Sequence, residues 1–76
     1  MTFERITVDP SIMAGVPCIA GTRMPVATVV GMVAEGMTTP GIVADFPQLT
    51  EDDIREALRY ASARVDEREV TLRLGA

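Results

Sequence analysis

The side chains best equipped for specific contacts are seven arginines, at positions 5, 23, 55, 59, 64, 68 and 73, which are the only basic residues of the chain. A guanidinium makes paired hydrogen bonds with phosphates, guanines and carboxylates alike, so this set could serve nucleic acid or an acidic protein site. A GC-rich genome accounts equally well for arginine in place of lysine. Eleven carboxylates outnumber the arginines, giving a formal net charge of -4 and a pI near 4.5. That balance argues against a broad basic surface coating nucleic acid, and leaves room for a small specific one. Without histidine, acid–base work would fall to carboxylates, and the two acidic clusters, Glu51, Asp52, Asp53 and Asp66, Glu67, Glu69, fall at helix ends with no sign of burial. Acids in a first helical turn stabilise it through the helix dipole by about 0.3–1 kcal/mol, which explains the first cluster without an active site. Cys18 is the single cysteine, so no internal disulfide, zinc site or cysteine–histidine pair can form. Gly15 and Gly21 lack the Lys-Ser/Thr ending and the strand-then-long-helix setting of a phosphate loop. No catalysis, metal or cofactor is expected.

Such contacts need a scaffold, and 76 residues suffice for one domain. A domain of this size buries only about 60% of the surface of its unfolded chain, so its core is marginal. With 47% hydrophobic residues and only Phe3, Phe46 and Tyr60 as aromatics, that core must be largely aliphatic. Pairing with a second copy is an expected source of added stability, making a homodimer the expected state. The start of the chain has neither the basic residues nor the apolar run of a secretory signal, and no stretch reaches transmembrane length. A cytoplasmic location without membrane contact is expected.

The periodicity predicts a mainly α fold with short β elements. Ile6 and Val8 alternate with Arg5 and Thr7 as a short strand stopping at Asp9-Pro10. Residues 15–25 predict an extended Cys18 to Ala20, a turn at Gly21-Thr22 and a return through Arg23-Met24, either a small hairpin or an ordered loop. From Pro25 the period becomes helical, with Val26, Val29, Val30 and Val33 on one stripe and Gly36 at the expected end. Thr39-Pro40 predicts a second, short helix carrying Ile42, Val43 and Phe46 and closed by Pro47. Thr50 caps a third, with Asp53 in the capping-box position, Leu49 placed to staple onto Ile54, and a buried stripe of Ile54, Ala57, Leu58, Ala61 and Val65. Residues 25–65 thus form a three-helix, helix-turn-helix core, preceded by a strand and hairpin or loop over 1–24. Val70, Leu72 and Leu74 alternate with Thr71 and Arg73, predicting a C-terminal strand or tail over 69–75 in need of a partner. Cys18 reads as a small buried apolar residue, and Met13, Met24, Met32 and Met37 as core fillers.

Arg5-Ile-Thr-Val-Asp-Pro, Gly15-Val-Pro-Cys-Ile-Ala-Gly-Thr-Arg-Met-Pro-Val, Ala34-Glu-Gly-Met and Ala44-Asp-Phe-Pro-Gln-Leu-Thr-Glu-Asp-Asp-Ile together resemble a bacterial family, the domain of unknown function numbered four hundred and thirty-three. The resemblance runs from about Arg5 to Ala63 and implies a homeodomain-like three-helix core. It further implies the antitoxin half of a toxin–antitoxin pair, encoded beside a PIN-like ribonuclease toxin and repressing its own operon through DNA. Thr39-Pro40-Gly41 departs from the acidic, helix-favouring residues of many members, so the second helix is expected to be shorter or more strained.

For operator DNA, the third helix would normally present its first residues to base edges, but here these are Glu51, Asp52 and Asp53, which phosphates repel. Candidate DNA contacts are therefore Arg55 and Arg59 farther along that helix, or Arg5 and Arg23 elsewhere. The plainer roles are a solvated face paired with Glu51 and Glu56 for the former two, and a hydrogen-bonding pin between hairpin and helices for Arg23. For the toxin, the candidate contacts are Arg68, Val70, Leu72, Arg73 and Leu74. An arginine inserted into the carboxylate cluster of a metal-dependent nuclease would neutralise it and displace metal. The alternatives are a stand-alone helix-turn-helix DNA-binding regulator and a dimerisation module that binds no DNA.

Overall fold

A computed structural model describes residues 3–66. Its order is β1 (Ile6–Thr7), a single 3-10 turn at Met13–Gly15, β2 (Cys18–Ile19), α1 (Val26–Ala34), α2 (Thr39–Asp45) and α3 (Glu51–Val65). The class is mainly helical, three helices with a small antiparallel sheet, as the periodicity predicts.

The sheet pairs Ile6 with Ile19 and Thr7 with Cys18. The predicted return through Met24 is also present, because the Ile19 N–H donates to the Met24 carbonyl at 2.9 Å and the Val26 N–H to that of Pro17 at 2.9 Å. The turn between them is fixed by Thr22, whose hydroxyl donates to the Ile19 carbonyl at 2.7 Å and accepts the Met24 N–H at 3.0 Å. Cys18 thus lies between two extended segments, pairing with Thr7 on one side and bridging Pro25 on the other. Ala14 is the one non-glycine residue among those described with a left-handed backbone, φ 57°. That conformation carries a steric cost of about 1–2 kcal/mol for a residue with a Cβ.

α1 starts one residue later than the sequence implies, since Pro25 is the extended N-cap and Val26 the first helical residue. Its end follows from backbone chemistry. Gly36, at φ +97°, lets its N–H reach the Val33 carbonyl at 3.0 Å and the Met37 N–H reach that of Met32 at 3.1 Å, which satisfies two terminal carbonyls. α2 also shifts by one, capped by Thr38 rather than Thr39. The Thr38 hydroxyl accepts the Gly41 N–H at 3.1 Å, leaving Thr39 and Pro40 inside the first turn. A Cβ at Gly41 would sit 3.1 Å from that hydroxyl, so the glycine fits the tight cap.

α3 has the predicted capping box. The Thr50 hydroxyl accepts the Asp53 N–H at 3.1 Å, and the Asp53 carboxylate accepts the Thr50 N–H at 2.9 Å. Ile19, Val26, Val29, Ile42, Leu49, Ile54 and Ala57 form the buried cluster, with Val30, Val33, Met24, Met32, Met37, Phe46 and Leu58 packed around it. Leu49 and Ile54 share this core as the staple predicts. Two expectations are corrected. Val65 ends the apolar stripe of α3 yet is 69% exposed, because helical period continues past the last residue of the helix that has a wall to pack on. Asp53, expected to be unburied, retains only 9% of its exposure because its carboxylate turns back onto the cap and an arginine from the N-terminal segment.

Candidate functional site

The strongest electrostatic feature lies at the head of α3. There β1 brings Arg5, forty-eight residues away in sequence, against the first helical turn. Its Nη1 lies 3.2 Å from Asp53 Oδ1, its Nη2 3.7 Å from Asp52 Oδ2, and its backbone N–H donates to the Glu56 carboxylate. Arg55 pairs with Asp52 one turn earlier, rather than with Glu51 or Glu56. Two of the four arginines expected to face DNA therefore already hold carboxylates of α3. Such contacts fasten the N-terminal segment to the helix and neutralise part of the acidic turn.

Arg23 and Arg59 differ. Both are exposed, and neither has an ion-pair partner among the described residues. They open onto separate depressions, Arg23 beside Thr7, Val8, Asp9 and Thr22, and Arg59 beside Ser62, Ala63 and Asp66. Thr22, the neighbour of Arg23, holds the turn within the hairpin, through Ile19 and Met24. The residues expected to meet a toxin, Arg68, Val70, Leu72, Arg73 and Leu74, lie outside the described residues, as does the predicted strand over 69–75.

Beside Arg23, Asp9 closes a turn in which its Oδ1 accepts both the Ser11 hydroxyl at 2.7 Å and the Ser11 N–H at 2.9 Å. These bonds, the hydroxyl first, hold its carboxyl below the usual aspartate range. A group whose pKa is depressed on folding adds stability above its unfolded value and loses it as pH falls through the folded one. Ser11→Ala is expected to move the Asp9 midpoint upward, read from its side-chain NMR shift between pH 2 and 6. An unchanged midpoint would assign the depression to something other than Ser11.

A third surface was not foreseen as a site. Val16, Pro17, Val26, Ala27, Val30, Gly31, Tyr60, Ala61, Arg64 and Val65 line a groove of about 450 Å³ between α1 and α3, almost wholly apolar. Val16 and Val65 are two of the three large hydrophobic side chains exposed among the described residues. Tyr60 is braced there by Phe3, their rings meeting edge to face with centroids 5.2 Å apart. The signal in the sequence was the apolar stripe of α3, which ran one turn beyond what the core could cover.

Among the described residues no group of three or more histidine, cysteine or acidic side chains is placed to hold a metal ion. No helix among them is long and apolar enough to cross a membrane.

Comparison with known proteins places these features in context. The family model described as "Protein of unknown function (DUF433)" matches residues 6–61. An uncharacterised protein of Sinorhizobium fredii, y4eO, is 38% identical over 60 residues, which is 79% of this chain and 27% of that protein. The crystal structure of a DUF433 member from Anabaena variabilis superposes with a TM-score of 0.76 at 28% identity, covering 83% of this chain and 62% of the other. The chain thus spans about a quarter of the curated relative and under two thirds of the crystallised one. With its model matched from β1 into the last two turns of α3, the chain belongs to the DUF433 family.

Proposed function

We propose that this chain is the antitoxin of a type II toxin–antitoxin pair, a cytoplasmic homodimer that binds and neutralises a PIN-like ribonuclease and performs no catalysis itself. In this reading the three helices are a homeodomain-like helix-turn-helix used chiefly as a scaffold, and the segment after α3, with Arg68, Val70, Leu72, Arg73 and Leu74, makes the inhibitory contact. The observation that carries it is the disposition of charge on α3. Its first turn is acidic, and the nearby arginines, Arg5 and Arg55, are spent on Asp52 and Asp53. A helix so equipped is repelled by a phosphate-lined groove, whereas an apolar surface beside it suits a protein.

Co-expression with a nuclease encoded next to it is the direct test. The full chain is expected to restore growth and co-purify with the nuclease, and a chain ending at Arg68 is expected to lose most of that rescue. Undiminished rescue by the shortened chain would overturn the assignment of the inhibitory contact.

A second reading, autorepression through operator DNA, is favoured by the exposed Arg23 and Arg59, which hold no described carboxylate. If these arginines meet phosphates, Arg23→Ala with Arg59→Ala lowers affinity for the upstream operator and flattens its salt dependence. The same variants leave nuclease capture intact. A chain that binds neither nuclease nor operator would be left as a dimerisation module.

A further inference from the structure

We infer that the apolar groove between α1 and α3 binds a single-chain amphiphile with a carboxylate head, its alkyl tail between the helices and its head at Arg64. The groove lies where the core ends. Ala57 is fully buried, whereas Tyr60, Ala61 and Arg64, one and two turns farther along the same side of α3, are partly or largely uncovered. Gly31 on the facing wall leaves room for a tail, since a Cβ added there would meet nothing within 4 Å.

Size and charge select the occupant. The volume of about 450 Å³ falls within the range of small-molecule sites, roughly 300–1,000 Å³. Ten residues line it, and a stable protein interface takes about 20–30 residues a side, so a protein on this face would have to extend well beyond the groove. The lining is also one-sided in charge. No carboxylate is among those ten residues, although the chain has eleven, and Arg64 is their one charged member. The next acid along α3, Asp66, lines the separate depression that holds Arg59. Because the groove is almost wholly apolar, Arg64 lines it with its methylene stem and carries the guanidinium to the rim. Five N–H donors let that guanidinium receive a carboxylate alongside any other acceptor. An apolar trough with a cation at its edge fits an alkyl chain ending in an anion and disfavours one ending in an ammonium. Such a site uses neither Arg23 and Arg59 nor the segment after α3, so it stands whether or not the chain neutralises a nuclease or binds an operator.

The test is titration of the isolated full chain with monomeric decanoate, followed by NMR. Tyr60 is the only tyrosine and there is no tryptophan, so the fluorescence of that one ring gives a second reading from inside the groove. Saturable shifts of the Tyr60 ring and Val30 methyl signals are expected, with the Ile42 methyls in the core unmoved. Octanoate, shorter by two methylenes, is expected to bind on the order of tenfold more weakly, at about fourfold per methylene buried. Arg64→Gln is expected to weaken decanoate about two- to fivefold, as for an exposed ion pair, and to leave decanol unchanged. Gly31→Leu fills the groove from α1 and is expected to abolish binding in a chain that keeps its resistance to urea. No saturation by decanoate, equal binding of decyltrimethylammonium, full binding by Gly31→Leu, or no selective loss of decanoate in Arg64→Gln would each overturn the inference. So would binding confined to phosphatidylglycerol vesicles, which would assign the face to a membrane surface, or shifts that appear only as chains pair in sedimentation, which would assign it to a second copy.

Discussion

Ile54→Ala is expected to destabilise the fold by about 2–5 kcal/mol, the cost of removing a buried aliphatic side chain and leaving a cavity. Ile54 has no solvent exposure and sits on α3 at the centre of the cluster that also holds Ile19, Ile42 and Leu49. How far Met24, Met32, Met37 and Phe46, packed around that cluster, can move into the space sets where in this range the cost falls. Domains carry roughly 0.05–0.15 kcal/mol of stability per residue, so a chain of 76 residues has about 4–11 kcal/mol to lose. The variant should therefore unfold at a much lower urea concentration, with a similar slope if the transition stays two-state. Ile54→Val is the graded control, at about 0.5–1.5 kcal/mol. Val65→Ala, on the same face of the helix but largely exposed, should cost within about 0.5 kcal/mol. Equal losses at Ile54 and Val65 would contradict the position of the core.

Asp53→Ala is expected to cost about 1–3 kcal/mol. One carboxylate accepts the Thr50 N–H, closes the capping box and receives Arg5. The Thr50 hydroxyl still accepts the N–H of residue 53 in this variant, so the capping box loses only the return bond from the Thr50 N–H, about 0.5–1.5 kcal/mol. The hydrogen bond from Arg5 adds to that. Arg5→Ala should cost less, about 0.2–1 kcal/mol, because its side chain is 44% exposed and solvent screens the pair. The informative measurement is the double-mutant cycle between Arg5 and Asp53 in urea at low and high salt. A coupling that shrinks with salt is expected, and complete additivity would show that the ion pair contributes nothing.

Much of the helical framework was legible because helix ends are written in local chemistry. Pro25, Gly36 and the pair Thr50 and Asp53 act on backbone groups within a turn of themselves, and the structure uses all four as helix boundaries. The boundary of α2 slipped by one because Thr38 and Thr39 are equally able to cap, and Pro40 is tolerated at either of the first two helical positions. What the sequence concealed were pairings between distant residues. Arg5 reads as an available cation until β1 is seen to deliver it to Asp53. Val65 reads as core because periodicity records which way a side chain faces and says nothing of whether a neighbour extends far enough to meet it. The groove has the same origin, since each of its walls is an ordinary amphipathic helix and only their separation makes a cavity.

The placement of Cys18 between two extended segments gives the molecule an internal clock. Its thiol is 1% exposed and donates to the Val16 carbonyl at 3.3 Å, so a thiol reagent reaches it only when the sheet parts. As the single cysteine, it records one event per chain. When closing is faster than alkylation, the rate divided by that of the unfolded chain therefore reports the fraction of molecules in which the sheet is open under native conditions. The Ile54 and Asp53 variants should raise the logarithm of that rate in proportion to their loss of stability if the sheet opens only with the whole fold.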